Sequence, residues 1–411
     1  MEKTASNADK SDSELVEHGN YSNMMKASLL SISIILTSGT AIAATIPSWL
    51  KAFPGVARSN VELLQTLPSI SVVFATLLST WIAKMIGVKR TVIVGLLIAG
   101  FAGITPALVT NYAAFFASRL MLGVGFGLVN SYAVSMIGMF FSGQEKSNMM
   151  GFRSSCEKLG SSVTTFIAGE LLVAFNWHAA FWVYALAFAL TILFAIYVPE
   201  PSAKAESEIL AGNAKKKEHQ SVNGKVIFWT IFCILYLIPI IASYTRITEL
   251  VTTNGYISLG KVAIVLSIAQ FGGILTGILF GWFLRMLRAT FLPITVALTG
   301  VSQLMIGMSS NAVIIGTGMI LTSTISGIVV AYAFNLGPEI APKNSLNLAT
   351  SLMIVGCNVG TFMTPLVLGV IGKFHSSSDL AFTFKFFGVL LIITGACMLF
   401  VIKPLSASET K

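Results

Sequence analysis

Residues 127–136 read GLVNSYAVSM and residues 327–336 read GIVVAYAFNL. The two stretches align without gaps at an offset of 200, with Gly127/Gly327, Val129/Val329, Tyr132/Tyr332 and Ala133/Ala333 identical. A second pair of segments shares that offset through Gly160/Gly360, Thr164/Thr364 and Gly169/Gly369. Small and apolar residues recur by chance in apolar sequence, so a single match carries little. Two segment pairs at one spacing mark an internal repeat of about 200 residues.

The sequence on either side of these segments decides the class. Of 411 residues 55% are hydrophobic and only 10% charged, and the mean hydropathy is +0.82. Soluble domains carry roughly 25% charged residues, so a water-soluble globule is excluded, and so is disorder. The four cysteines (Cys156, Cys233, Cys357, Cys397) lie in apolar stretches at no metal-ligand spacing, which excludes a disulfide scaffold. A crossing takes about 20 apolar residues. Apolar spans are read at 25–47, 61–85, 89–109, 112–140, 146–174 and 178–198, then at 225–252, 259–284, 290–309, 312–336, 345–372 and 379–402. The fold expected is an all-α polytopic membrane protein of twelve helices in two pseudo-symmetric six-helix bundles. The bundles occupy 25–198 and 225–402, with tails at 1–24 and 403–411 and a hydrophilic linker at 199–224, PEPSAKAESEILAGNAKKKEHQSVNG.

Six spans are an even number, so both halves enter the membrane from one side. That makes the repeats parallel, related by an axis along the membrane normal, with a solute site between them near mid-bilayer. Of 26 Lys and Arg, 17 fall on the side shared by both termini and the linker, and only Lys51, Arg58, Lys261 and Lys373 on the other. The positive-inside rule places that basic side, and both termini, in the cytoplasm. The net charge of +9 is then topology plus attraction to anionic headgroups, not a sign of nucleic-acid binding.

Span 4 carries Arg119-Leu-Met-Leu-Gly123-Val-Gly125-Phe-Gly127, which resembles the R-x3-G-x-G-x-G pattern of the major facilitator superfamily. The loop after span 2, Lys84-Met-Ile-Gly87-Val-Lys89-Arg90, is similar to that family's G-x3-D-R-x-G-R-K loop, but Thr80 stands for the first Gly and Lys84 for the Asp. Its second-half equivalent, Gly281-Trp-Phe-Leu-Arg285-Met-Leu-Arg288, again lacks an acid. Gly151-x8-Gly160 begins like the family's drug-antiporter motif, but Thr164-Thr165 replaces the expected Gly-Pro. The resemblance covers essentially the whole chain. It implies the twelve-helix fold, alternating access, a monomer, and for Arg119 an association with a neighbouring helix and with proton coupling.

Charge inside a bilayer is costly, by roughly 2.5–3.5 kcal/mol per residue on insertion scales, so intramembrane ions are functional candidates. Lys158 lies about 18 Å along span 5, close to the midplane. Arg153 and Glu157 are spaced i, i+4 and can pair, leaving Lys158 either to join a structural ion-pair network or to face a central cavity and bind an anion. Asn358, its repeat counterpart, would form a neutral wall opposite. Asn130, Tyr132, Tyr332 and Gln270 are further candidates for substrate contact, the tyrosines having interfacial anchoring as the alternative. Arg119 suits coupling or mere packing against its glycine stripe. Arg246 and Glu249, about 30 Å along span 7, read as an external gate or rim pair.

A carboxyl must carry any coupled proton, since no His falls within a span. Glu157, ionised beside its cations until substrate draws one away, and Glu170, with no partner within a turn, are the candidates besides Glu249. There is no Walker-type loop, and no catalytic residues, cofactor or metal ligands are expected. The function expected is a secondary transporter in the plasma membrane moving a small organic solute, with a proton or counter-substrate. An organic anion is favoured because the spans hold five bases against three acids. Efflux of amphipathic drugs or lipids by proton antiport is the alternative, and a non-transporting receptor or channel on this scaffold the alternative of another class.

Overall fold

With no water in the hydrocarbon layer, every backbone group of a crossing segment must be satisfied within it, which leaves helices for this composition. The computed structural model describes residues 21–202, 206–207, 221–287, 290–342, 345–374 and 379–401. Among these no strand occurs. The first half holds α1 (Asn23–Leu36) and α2 (Ile46–Ala52), which share span 1, then α3 (Arg58–Ile86), α4 (Val88–Leu108), α5 (Tyr112–Phe140), α6 (Gly143–Ala174) and α7 (Leu186–Tyr197). The second holds α8 (Gly224–Thr253), α9 (Leu259–Leu287), α10 (Phe291–Met308), α11 (Ala312–Asn335), the short α12 (Gly337–Ile340), α13 (Leu346–Phe374) and α14 (Leu380–Val401). Residues 1–20 of the expected N-terminal tail, the expected C-terminal tail and most of the expected linker lie outside the described residues.

Among the described residues eleven helices are long and apolar enough to cross a membrane. The twelfth crossing is α6, whose 32 residues reach about 48 Å but whose charged and hydroxyl side chains depress its apolarity. Such a helix is tolerated because Ser161, Ser162, Thr164 and Thr165 are buried against protein, the helix packing on α1 within its own half and on α9 of the other.

The repeat is visible in the packing. Asn111 and Asn311, 200 residues apart, cap α5 and α11 alike, their side chains accepting from the backbone N–H of Ala113 and Val313 at 2.8 Å each. A Cβ on Gly160 would lie 2.4 Å from the carbonyl oxygen of Ile34, and one on Gly360 2.4 Å from that of Ile234. Both contacts recur at the same offset, joining α6 to α1 and α13 to α8. Close backbone approach of this kind is what small residues permit between membrane helices. The two halves thus form pseudo-equivalent six-helix bundles. They touch chiefly through α6 on α9 and α3 on α13.

Span 1 departs from the continuous helix expected. Between α1 and α2 the chain turns through two short 3-10 segments, Ser38–Thr40 and Ala43–Thr45. Ser38 and Thr45 bond their hydroxyls to the carbonyls of Ile35 and Ile42, at 2.6 Å each, competing with the helical ladder. Its repeat partner α8 is unbroken despite Pro239. At the turn between α3 and α4, where the resemblance expects an acid and Lys84 stands, a carboxylate comes from the linker instead: Glu206 Oε1 accepts from the Val88 N–H at 2.7 Å.

Burial along the interface helices shows how the bundles sit. On α3, nearly every residue from Val61 to Pro68 is buried. Beyond Pro68 only Ser71, Ala75, Ser79 and Ala83 are, the i, i+4 stripe that packs on α5. On α8, Ile238 to Thr248 are buried without a break, whereas the half nearer the linker buries only Val226, Cys233 and Tyr236. The bundles therefore close on each other at the face far from the linker and part at the linker face.

Gly160→Ala and Gly360→Ala should each cost about 1–3 kcal/mol, the usual range for overpacking a close contact, read as a lower midpoint of thermal unfolding in detergent. Unchanged midpoints for both would contradict the packing described.

Candidate functional site

Where the bundles part, a cavity of about 360 Å³ lies between them. Its wall is polar at mid-depth: Thr37 and Thr40 from the unwound stretch of span 1, Gln65 from α3, Asn130 from α5, Glu157, Lys158 and Ser161 from α6, Gln270 from α9, and Asn358 and Thr361 from α13. Of the sequence candidates, Lys158, Asn130, Gln270, Asn358 and Glu157 thus share one cavity.

The two charges in that wall differ in their partners. Glu157 is held by Arg153 one turn away, Oε1 to Nη2 at 2.5 Å. Lys158 is exposed and has no ion pair among the described residues. Its stem runs over α9, where a Cβ on Gly273 would come 3.0 Å from Lys158 Cδ, so the glycine leaves room for the chain to lie flat and present its ammonium. The cavity also carries spare hydrogen-bonding capacity. Asn358 gives its Nδ2 to the Ile354 carbonyl at 3.0 Å, which turns the amide oxygen elsewhere. The Gln65 Nε2 is buried and unbonded.

Gln270 is more a tie than a free contact. From the second bundle its side chain accepts from Ser161 at 2.7 Å and donates to Thr40 at 2.9 Å and Thr165 at 3.3 Å, all in the first. Nearby, Ser162 and Ser267 exchange hydroxyl and carbonyl bonds at 2.8 and 2.9 Å across the same α6–α9 contact. Thr245 donates to the oxygen of Gln65 at 2.9 Å, tying α8 to α3. These ties roof the cavity on its far side.

Beyond the roof lies an ionic cluster. Glu62 on α3 is fully buried (0% exposed) and accepts from Arg58 Nε at 2.9 Å and from Arg246 Nε at 3.2 Å. Arg246 also donates to Thr383 of α14 at 2.8 Å. Glu249 is paired bidentately with Arg58. The expected pairing of Arg246 with Glu249 is therefore corrected: both belong to the far face, but each binds a residue of the other bundle. Glu62 is the group the sequence reading missed. It sits at the margin of span 2, one turn from Arg58, and only the contact with α8, 184 residues away, reveals it as interior.

Three further candidates lie away from the cavity. Tyr132 is buried with its hydroxyl on the Ser79 carbonyl at 3.0 Å, packing α5 on α3. Residues two apart on a helix point about 200° apart, so with Asn130 in the cavity Tyr132 must face away. Tyr332 packs between Phe291 and Trp229, ring centroids 4.9 and 6.2 Å away. Glu170, a coupling candidate because it has no partner within a turn, is exposed, four residues from the far end of α6.

Arg119 is fully buried inside the first bundle, its guanidinium 4.9–5.6 Å from the rings of Phe181, Tyr184 and Phe115. It donates to the Gly103 carbonyl of α4 at 3.5 Å. The association with a neighbouring helix holds in that sense, through aromatic faces and a carbonyl. No carboxylate among the described residues pairs with it.

Arg246→Ala should loosen the sealed far face by about 3 kcal/mol or more, because Glu62 loses the guanidinium that crosses to it. The readout is alkylation of a cavity cysteine (Ser69→Cys) by a membrane-impermeant maleimide applied from the far side, which should accelerate by roughly two orders of magnitude. An unchanged rate would show that the cluster does not hold the face shut.

Comparison with known proteins places this geometry. The chain is 22% identical over 262 residues to the 4-hydroxybenzoate transporter of Pseudomonas aeruginosa, covering 56% of this chain and 58% of that one. To the 4-hydroxybenzoate transporter of Pseudomonas putida it is 22% identical over 323 residues, covering 70% and 71%. The alignment thus spans little more than half of the first of these relatives. Among solved structures, a D-xylose–proton symporter superposes with a TM-score of 0.72 at 12% identity, over 93% of this chain and 98% of the other. A nucleoside transporter gives 0.72 at 14%, over 91% and 99%. At these identities the likeness is one of fold. A family model described as Major Facilitator Superfamily matches residues 28–365, most of the chain, and the protein belongs to that superfamily.

Proposed function

We propose that this protein is a secondary transporter for small organic anions. The solute binds at mid-depth against Lys158, with Asn130, Asn358 and the free edge of Gln65 as neutral hydrogen-bonding partners. The observation that carries the reading is the unpaired Lys158 ammonium in a cavity between two pseudo-equivalent bundles. Lys158 is exposed to the cavity with no ion pair among the described residues, and an intramembrane cation marks a solute pathway by default. A carboxylate is the natural acceptor, since a charge-assisted hydrogen bond is roughly twice as strong as a neutral one. A cavity of about 360 Å³ falls within the usual range for small-molecule sites. Relatives named for transport of 4-hydroxybenzoate, an aromatic carboxylate, support the same class.

Transport follows from closing one face and opening the other around this site. In the arrangement described, the far face is sealed by the Glu62 cluster and the linker face is parted. If the basic linker face is cytoplasmic, as the Lys and Arg distribution argues, this is the inward-facing state of a plasma-membrane carrier with both termini inside. Entry from that side brings an incoming anion to Lys158 in the cavity wall before it reaches the roof.

The test is thermal stabilisation of the purified protein by a panel holding benzoate, 4-hydroxybenzoate, nicotinate and an amphipathic cation. The anions should raise the unfolding midpoint, Lys158→Ala should abolish the shift, and Lys158→Arg should keep part of it. Their apparent affinity should fall by roughly 10- to 100-fold in Lys158→Ala, the scale of one charge-assisted contact. Stabilisation by the cation alone, or an anion response indifferent to Lys158, would overturn the reading.

A further inference from the structure

The cavity and the far-face cluster differ in their charge sums. Around the cavity stand Arg153, Glu157 and Lys158, of which the first two neutralise each other; the sum is +1. At the far face stand Arg58, Glu62, Arg246 and Glu249; the sum is zero. The second set is also neutral bundle by bundle. Arg58 and Glu62 are i, i+4 on α3 and already bonded. Arg246 and Glu249 are i, i+3 on α8, within pairing distance on a helix face. When the bundles part there, each carries away its own ion pair. The far face can therefore open without stranding a charge and without taking up a proton.

The cavity has no such internal compensation. Closing the linker face over an empty site removes water from Lys158 while Glu157 is engaged by Arg153, and whichever base Glu157 chooses, one positive charge is left over. The other interior ions do not change this sum: Arg119 is enclosed within the first bundle, and Glu170 is exposed near the far end of α6. One monovalent anion brings the site to zero, a dianion overshoots, and a neutral solute leaves the excess in place.

We infer that the protein works as an electroneutral exchanger, one monovalent organic anion against another. The loaded bundles rock and the empty ones do not. Each cycle carries one anion in and one out, so no net charge crosses and no proton or sodium ion is consumed. Glu157 acts as a valence setter: by cancelling Arg153 it fixes the site at one positive charge. This rests on the anion reading of Lys158 given above, and goes beyond it in naming the mode of transport and the valence of the solute.

The experiment uses the full-length protein in proteoliposomes, with labelled 4-hydroxybenzoate as probe and protein-free vesicles subtracted. Vesicles preloaded with unlabelled 4-hydroxybenzoate should take up label faster than empty ones by roughly 100-fold, the scale of one uncompensated charge at mid-bilayer. That uptake should not respond to a potassium diffusion potential or to an imposed pH gradient. Equal initial rates into loaded and empty vesicles, or uptake that follows the potential or the pH gradient, overturn the exchange mode. If the protein shows no Lys158-dependent thermal stabilisation by the probe, the anion reading itself falls. If it shows that stabilisation yet fills empty vesicles as fast as loaded ones, only the exchange inference falls. Glu157→Gln raises the site to +2, so competition by phthalate relative to benzoate should rise by about 10-fold or more. An unchanged ratio overturns the valence argument whatever the transport rate.

Discussion

Two acids and two arginines, shared between helices of different bundles, determine the shape of the molecule at its far face. Glu62 is fully buried and accepts hydrogen bonds from a guanidinium on its own helix and from one on α8. In a low-dielectric setting such a group holds its partners in register, because removing one leaves a buried charge uncompensated. Around it the interface helices are buried on almost every side, and below it the polar ties from Gln65 and Gln270 complete the roof. The cavity exists because this end is shut while the other is parted. Lys158 stands without an ion-pair partner among the described residues because it is exposed to the cavity.

The two closures are built differently. The far-face contact is ionic and self-pairing, able to break into two neutral halves. The α6–α9 contact is made of reciprocal serine bonds and close backbone approach, with a Cβ on Gly169 falling 2.2 Å from that of Ala263. Packing and hydroxyl bonds of this kind suit a surface on which helices stay in contact and tilt, since small residues let backbones move past one another without large side-chain rearrangement. The unwound stretch of span 1 supplies Thr37 and Thr40 to the same region. It has no counterpart in α8, so the pseudo-symmetry is broken where solute would be held. Broken helices that line a cavity are a recurring way to bring polar groups to mid-membrane.

Much of this was legible in the sequence, for identifiable reasons. The twelve spans follow from composition and spacing. The repeat follows from an offset that the structure repeats in the Asn111/Asn311 caps and the Gly160/Gly360 contacts. Lys158, Asn130 and Asn358 could be brought together because depth along a helix is set by residue number. Rotation about the helix axis is not so fixed, and of the candidates Tyr132 and Tyr332 neither lines the cavity. Glu62 escaped because its meaning lies in a partner on another bundle. The apparent pairing of Arg246 with Glu249 came from sequence proximity where the stronger partners are remote. The turns in span 1 had a local signal, the run Thr37-Ser38-Gly39-Thr40, whose hydroxyls bond backward to the chain.

In the transport mode proposed, a carboxylate sits against Lys158 in the cavity between the bundles. The most direct measurement is a solid-state NMR dipolar distance in lipid, between a 13C-carboxylate on bound 4-hydroxybenzoate and lysine side chains labelled with 15N at Nζ, with Lys158→Arg assigning the signal. The expected carbon–nitrogen separation is about 4 Å, the reach of a direct ion pair, with the coupling lost in Lys158→Arg. A bound carboxylate whose coupling persists in Lys158→Arg, or which couples to no lysine, would contradict it.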